Sequence, residues 1–291
     1  MKELVVISGK GGTGKTSIVA SFAALSGVSL LADCDVDAAD LHLILSPTVE
    51  EREIFRSGVK PVFDRSLCTE CGRCIELCRF DAIRSPVAFD YLSCEGCGVC
   101  ADHCPTHAIT LEENACGEVF VSMTRFGTMV HAALGIAEEN TGRLVTRVRK
   151  LAHEKAEAQG KSLLIVDGSP GIGCPVIASI VNTTLALVVS EPTVSGLHDT
   201  MRVLSLTDHF KVNTALAVNK CDLNPDMTRA LKTLCRENKI PCLGEIPFDQ
   251  QFTEALILKK SIVEYTDQGA SGAVKALWQQ VTEKLESIEQ V

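Results

Sequence analysis

Two sets of residues in this chain have the types and the spacing to do chemistry. The first is Gly9-Lys10-Gly11-Gly12-Thr13-Gly14-Lys15-Thr16, which fits the pattern G-x-x-x-x-G-K-[ST] of a phosphate-binding loop. Its glycines let backbone N–H groups point into one concavity, and a helix starting at the loop's end adds positive potential there. Lys15 is placed to reach the β- and γ-phosphates of a nucleotide, and Thr16 to hold Mg²⁺. The second set is cysteine. Cys68, Cys71, Cys74 and Cys78 are spaced C-x2-C-x2-C-x3-C; Cys94, Cys97, Cys100 and Cys104 repeat that spacing, with Pro105 directly after. The repeat extends beyond the thiols, because Asp81-Ala82-Ile83 and His107-Ala108-Ile109 stand at matching offsets. Thiolates are soft ligands suited to iron–sulfur clusters, and close spacing lets one loop wrap three corners of a cubane. Structural zinc is the competing reading, but zinc usually joins two separated C-x2-C knuckles, whereas each set here is compressed into eleven residues.

These residues need elements to hold them. Leu4-Val5-Val6-Ile7 reads as a buried strand entering the loop, and 16–26 as a helix with Ile18, Val19, Phe22 and Ala23 on one side, closed by Gly27. A second strand over 28–32 runs into Asp33-Cys34-Asp35-Val36-Asp37-Ala38-Ala39-Asp40-Leu41. Carboxylates beyond a strand's C-terminal end sit on the ligand-binding edge of an open α/β sheet, although an acidic helix start favoured by the helix dipole would look similar. Residues 51–63, with Gly58, read as a short hairpin leading outward. Residues 119–123 and 129–136 read as paired strands around a turn at 124–128, and 141–158 as a polar-faced helix. The buried strand 162–166 ends in Asp167-Gly168-Ser169-Pro170-Gly171, an apolar run and an Asp suited to Mg²⁺. Further buried strands cover 184–190 and 214–218. The second ends in Asn219-Lys220-Cys221-Asp222, an N-K-x-D sequence of the kind that reads guanine in GTPases. A last helix over 270–288 carries Val274, Leu277, Trp278, Val281, Leu285 and Ile288 on one face.

Lys10 gives the loop a second lysine near its start, G-K-G-G-x-G-K-T. In this the chain resembles the deviant P-loop ATPases of the MinD/ParA/Mrp type and the nitrogenase iron protein, and the resemblance covers nearly the whole chain. It implies that Lys10 reaches the nucleotide of a partner subunit across an ATP-sandwich dimer. It makes Asp35, the second Asp of D-x-D, the residue that orients the attacking water, with Asp33 its nearest rival and Asp37 and Asp40 weaker candidates. Asp167 would bind Mg²⁺ through water, and D-x-x-P-G resembles switch II, where Gly171 offers its N–H to the γ-phosphate. Asn219 would read adenine, and Ile246-Pro247-Phe248-Asp249 would close over the base with Pro247 against it, while Asp222 leaves GTP open. The cysteine repeat resembles a bacterial two-cluster ferredoxin, in which the fourth ligand crosses over. Cluster one would take Cys68, Cys71, Cys74 and Cys104; cluster two would take Cys94, Cys97, Cys100 and Cys78. Arg79 follows Cys78 where such ferredoxins often have proline, a residue that shapes the turn and is not a ligand. His103 and His107 read as surface residues or neighbours of the second cluster. Cys174 falls where the nitrogenase iron protein has a cluster ligand, but Glu138-Glu139-Asn140-Thr141 stand where its second ligand would be. Cys174 therefore reads as a small buried residue; Cys34, Cys116, Cys221, Cys235 and Cys242 have no assignment.

The 291 residues suffice for one large α/β domain plus a small module, and 46% hydrophobic content supplies a sizeable core. No run approaches the ~18 apolar residues of a membrane span, and the start is too short and too soon glycine-rich for a signal peptide. A cytoplasmic protein is expected, in which clustered cysteines more often bind metal than form disulfides. A net charge of −9 disfavours nucleic acid and anionic membranes, and the basic membrane-targeting tail of MinD is absent, so no direct membrane insertion is expected. The expected fold is a doubly wound, mostly parallel α/β sheet of the P-loop NTPase type, built from 1–62 and 112–291, with a small α+β ferredoxin inserted at 63–111. The expected cofactors are ATP, Mg²⁺ and two 4Fe–4S clusters; the expected partners are a second copy in an ATP-dependent homodimer and a redox protein or larger complex. A slow, dimer-dependent ATPase that gates electron transfer through the clusters is the leading reading. A redox-sensing positioning or regulatory ATPase, and an iron–sulfur carrier or assembly ATPase, are the alternatives.

Overall fold

A computed structural model of the chain describes residues 1–27, 29–135, 138 and 141–288. β1 (Lys2–Ser8) leads through the phosphate-binding loop into α1 (Lys15–Ser26); β2 (Leu30–Asp33), a short α2 (Leu41–Leu45) and a long strand β3 (Thr48–Phe63) follow. Next come α3 (Arg73–Leu77), β4 (Ile83–Arg84), β5 (Ala88–Phe89) and α4 (Val99–Asp102). A second long strand, β6 (Ile109–Thr124), turns at Arg125-Phe126 into β7 (Gly127–Leu134). The remainder alternates: α5 (Thr141–Ala158), β8 (Leu163–Pro170), α6 (Cys174–Ile180), β9 (Leu185–Ser190), α7 (Val194–His209), β10 (Thr214–Asn219), α8 (Pro225–Glu237) and β11 (Cys242–Ile246). Three helices close the chain, α9 (Gln251–Ile257), α10 (Ile262–Tyr265) and α11 (Ala270–Ser287).

The strands lie in the order β11-β10-β9-β1-β8-β2-β7-β6-β3, and β1 pairs in parallel with β8 on one side and β9 on the other. The pairs β9–β10, β10–β11, β2–β8 and β2–β7 are parallel as well. Residues on strands alternate between faces. Leu4, Val6, Leu31, Ile165, Leu185, Leu187, Ala215 and Ala217 pack into one core with α1 and α11, while the intervening Val5, Ile7, Leu30, Leu164, Val166, Ala186, Val188 and Leu216 are equally buried on the opposite face, under α5 to α8. Both faces are covered, which is why these strands read as continuous apolar runs. On α11, Val274, Leu277, Val281 and Leu285 are buried and the Trp278 ring lies 4.8 Å from Phe22. The doubly wound, mostly parallel sheet is the expected one.

The chain forms two compact units. One comprises Met1–Arg52, Val119–Ala133 and Thr141–Val291; the other Glu53–Glu118 with Leu134–Asn140, wider than the expected 63–111. The hairpin expected over 51–63 is absent: β3 is a single sixteen-residue strand, and Gly58 takes its positive φ of 73° inside it without reversing the chain. The expected strand ends at 28 and 136 lie outside the described residues. Among the described residues no helix is long and apolar enough to cross a membrane.

Within the second unit the sequence repeat is visible in the backbone. α3 and α4 each start after a left-handed glycine, Gly72 (φ 74°) and Gly98 (φ 80°), and pack on each other. Glu70 and Gly96, and Asp81 and His107, form further left-handed pairs at matching offsets. A Cβ at Gly96 would stand 2.2 Å from the Val59 carbonyl oxygen, so the second copy needs glycine where the first carries Glu70. β4 and β5 make an antiparallel ribbon with Ile83 opposite Phe89.

Candidate functional site

The loop 9–16 joins the C-terminal end of central strand β1 to the first turn of α1. Gly14, at φ 88°, is the residue before that helix, and a Cβ on it would lie 2.3 Å from Asn219 Nδ2. Asn219, at the end of β10, donates Nδ2 to the Thr13 carbonyl at 2.8 Å and accepts the Lys220 N–H on Oδ1 at 3.0 Å. These bonds fasten the loop and leave its second amide N–H and the other oxygen lone pair for a further partner.

Lys15 opens α1 and is buried among carboxylates. Its Nζ lies 2.5 Å from Asp167 Oδ1 and 3.3 Å from Asp35 Oδ2. Parallel pairing of β2 with β8 sets Asp33 opposite Asp167 and carries Asp35 out to the strand end. Burial alone would lower the Lys15 pKa, but Asp167, Asp35 and Asp33 outweigh it and hold the ammonium above its ordinary value. Asp33 is fully buried and its pKa stands well above a normal carboxyl's, driven by desolvation and by Asp167. It accepts the N–H groups of Asp35 (3.1 Å) and Leu41 (3.3 Å), so it shapes the segment that presents Asp35. Burial likewise raises the Asp35 pKa against the pull of Lys15. Asp37 and Asp40 are exposed and join none of these contacts.

Two buried oxygens here have no hydrogen-bond partner: Asp167 Oδ2 and Thr13 Oγ1. A buried carboxylate oxygen left unpaired is costly, and a donor from a metal-bound water would satisfy it. With Thr16 partly accessible at the loop's end, the residues fit a hydrated Mg²⁺ next to a nucleotide's phosphates. The Gly171 N–H, expected to serve a γ-phosphate, here donates to the Ser8 carbonyl at 2.8 Å, continuing the β1–β8 ladder past the Ser8–Pro170 pair.

Lys10 points away from Lys15. Its Nζ lies 2.6 Å from Glu191 Oε1 and donates to Ser195 Oγ (3.0 Å) and Thr193 Oγ1 (3.4 Å). Glu191 Oε2 takes Lys220 Nζ at 3.2 Å, and Lys220 in turn donates to the Gly12 carbonyl at 3.2 Å. Lys220 belongs to the N-K-x-D sequence, whereas Glu191 lies in no motif. The usable signal was position, since Glu191 directly follows a buried strand on the same C-terminal edge of the sheet as Asp35 and Asp167. Asp222 Oδ1 accepts the Phe248 N–H at 2.6 Å, fastening the strap 246–249 beside Pro247.

In the second unit two cavities are lined by cysteine. One is bordered by Cys68, Cys71, Cys74 and Cys104 with Phe63, Val87 and Ile109. The other is bordered by Cys78, Cys94, Cys97 and Cys100 with Ile83, Phe89 and Leu111. Each holds three cysteines of one repeat and the last of the other. Burial, with Cys94 and Cys97 nearby, pushes the Cys100 thiol up to about 11. The Cys68 and Cys104 sulfurs accept backbone N–H groups from Glu70 (3.4 Å) and Ala108 (3.2 Å). Among the described residues no three His, Cys, Asp or Glu side chains converge closely enough to hold a single ion. His103 and His107 are exposed. Cys174, expected to be buried, is exposed at the start of α6, because that helix turns Val176 and Ile180 inward instead. Of the segment compared with a second cluster ligand, Glu139 and Asn140 lie outside the described residues. Cys34, Cys116 and Cys235 are buried; Cys221 and Cys242 are partly so.

A family model for the CobQ/CobB/MinD/ParA nucleotide-binding domain matches residues 4–262. The chain belongs to this family. An uncharacterised protein of Methanocaldococcus jannaschii is 30% identical over 290 residues, 97% of this chain and 96% of that protein. A second uncharacterised protein of the same organism is 22% identical, covering 92% and 94%. Among solved structures, the cell division ATPase MinD of Pyrococcus furiosus aligns with a TM-score of 0.60 at 18% identity, over 97% of this chain and 98% of that one. The septum site-determining protein MinD of Pyrococcus horikoshii, complexed with Mg-ADP, aligns at 0.59 and 17%, over 100% and 99%. At these identities the structures establish the fold. The family is one of nucleotide-binding domains, and loop 9–16 lies within the matched residues.

Proposed function

We propose that this chain is an ATPase whose nucleotide cycle acts on two 4Fe–4S clusters held by its cysteine-rich unit. The observation that carries the reading is the pair of cavities, each gathering the four cysteines of one crossed ligand set. The cubane spreads its four irons, so its ligand sulfurs need not meet at one point as they must around zinc. The donor sets fit: four thiols per cavity, apolar walls, and backbone N–H groups aimed at Cys68 and Cys104. Such clusters supply one-electron transfer when bound, at a potential set by hydrogen bonds to sulfur and by burial.

For hydrolysis, the loop amides and Lys15 bind the phosphates, which requires Lys15 to exchange part of its pairing with Asp167 and Asp35. Thr16 and Asp167 would hold Mg²⁺, whose charge neutralises that building on the phosphate oxygens. Asp35, released from Lys15, orients the attacking water and accepts its hydrogen bond. Gly171 can serve a γ-phosphate once its N–H leaves the Ser8 carbonyl, which would make that bond a nucleotide-sensitive switch. ATP is favoured over GTP because the similar structure from Pyrococcus furiosus is a cell division ATPase, while Asp222, with one oxygen taken by Phe248 and the other free among the described residues, leaves GTP open. Two ATP molecules face to face concentrate negative charge at an interface, and a lysine from each subunit, Lys10, offsets it; this supports an ATP-dependent homodimer.

The test is metal and sulfide analysis of anaerobically purified protein. About eight iron and eight acid-labile sulfide per chain are expected from two cubanes; zinc without sulfide overturns the cluster reading.

A further inference from the structure

Lys10 is fully engaged within its own chain. An ammonium has three donors. Here Glu191, Ser195 and Thr193 accept all three, and all stand between the end of β9 and the first turn of α7. Glu191 is no stray surface acid: its side chain is only 15% exposed, and its second oxygen holds Lys220 against the Gly12 carbonyl. Burial would raise its pKa, but Lys10 and Lys220 outweigh burial and keep it below an ordinary carboxylate's, so it stays charged at neutral pH. Lys10 cannot serve another subunit's phosphates without leaving Glu191.

We propose that Glu191 is a positioning residue of the nucleotide site, which holds Lys10 on its own subunit and yields it only to the triphosphate carried by a second copy of the chain. The inference rests on the proposed ATP-sandwich dimer and adds its threshold. A triphosphate carries more negative charge than one carboxylate and can win the lysine, whereas a diphosphate competes less well. Once Lys10 departs, Glu191 still has Lys220, so the phosphate-binding loop keeps its fastening at Gly12.

Glu191→Gln preserves shape and removes the charge. Light-scattering titrations with a non-hydrolysable ATP analogue and with ADP give the dimer dissociation constant, and a fluorescent nucleotide reports binding separately. Glu191→Gln should tighten the analogue-bound dimer roughly two- to fivefold, the range of a partly exposed ion pair, and narrow the difference between analogue and ADP. Glu191→Asp, which keeps the charge, should stay nearer the wild type. In a Lys10→Ala background Glu191→Gln should change nothing, because its effect runs through that lysine. A weaker dimer in Glu191→Gln, or the same shift with and without Lys10, overturns the proposal. So does a chain that binds nucleotide yet stays monomeric in every variant, which leaves the nucleotide site standing; a chain that binds no nucleotide sinks both readings.

Discussion

At the scale of single residues, the nucleotide site is a contest among charges. Three carboxylates, Asp33, Asp35 and Asp167, surround one buried ammonium, Lys15, and each has a different task. Asp33 is locked by two backbone N–H groups, Asp167 has one oxygen on Lys15 and one unpaired, and Asp35 is the most accessible of the three. Asp35→Ala should therefore retain nucleotide binding, measured with a fluorescent analogue, while turnover falls by about 100- to 10,000-fold, the usual weight of a positioned acid–base group. Lys15→Ala should lose binding itself. Normal hydrolysis by Asp35→Ala would move the water-positioning role to another carboxylate.

At the scale of elements, a buried ion pair fastens β1 to α5 and α6. The Arg149 guanidinium grips the Glu3 carboxylate at 2.9 and 2.8 Å and donates to the Ala178 and Val181 carbonyls at the end of α6. Burial would raise the Glu3 pKa, but His153 and Arg149 outweigh it and hold it below the ordinary 4.5. A depressed carboxyl stabilises fully above its unfolded pKa and loses that contribution as pH falls through the folded value. Denaturant melts should thus show stability declining below about pH 4.5 in wild type. Arg149→Ala should cost about 3–5 kcal/mol, since it strips the buried Glu3 carboxylate of its guanidinium and leaves it only His153; a loss well under 1 kcal/mol would mean the pair is solvated. The elements most legible from sequence were those with local signals: β1, the glycine loop and α1 in succession, the helix 141–158, and the apolar runs of β8, β9 and β10. β3 and β6 were not legible as sixteen-residue strands, because their outer halves show no clean apolar alternation and their pairing is non-local. The partner of Lys10 was hidden for the same reason: Glu191 is far away in sequence and only the sheet brings it near.

At the scale of the whole molecule, the chain forms two compact units and passes between them four times, within β3, within β6, at the end of β7 and before α5. The cysteine repeat was legible because its spacing and offsets are local in sequence; the width of the unit, set by non-local strand pairing, was not. If the units are thermodynamically distinct, Cys71→Ala should lose one of two clusters, read as about half the iron and sulfide, and keep nucleotide affinity unchanged. Loss of nucleotide binding in that variant would join the units into one cooperative structure. The central claim is that the nucleotide cycle and the clusters act on each other. The most direct measurement is the steady-state ATP hydrolysis rate of the anaerobic, fully loaded protein with its clusters reduced by dithionite and then reoxidised, with Cys71→Ala in parallel. The expected result is a rate that changes reversibly with cluster redox state and changes less in the variant; a rate indifferent to oxidation state in both proteins would contradict the coupling.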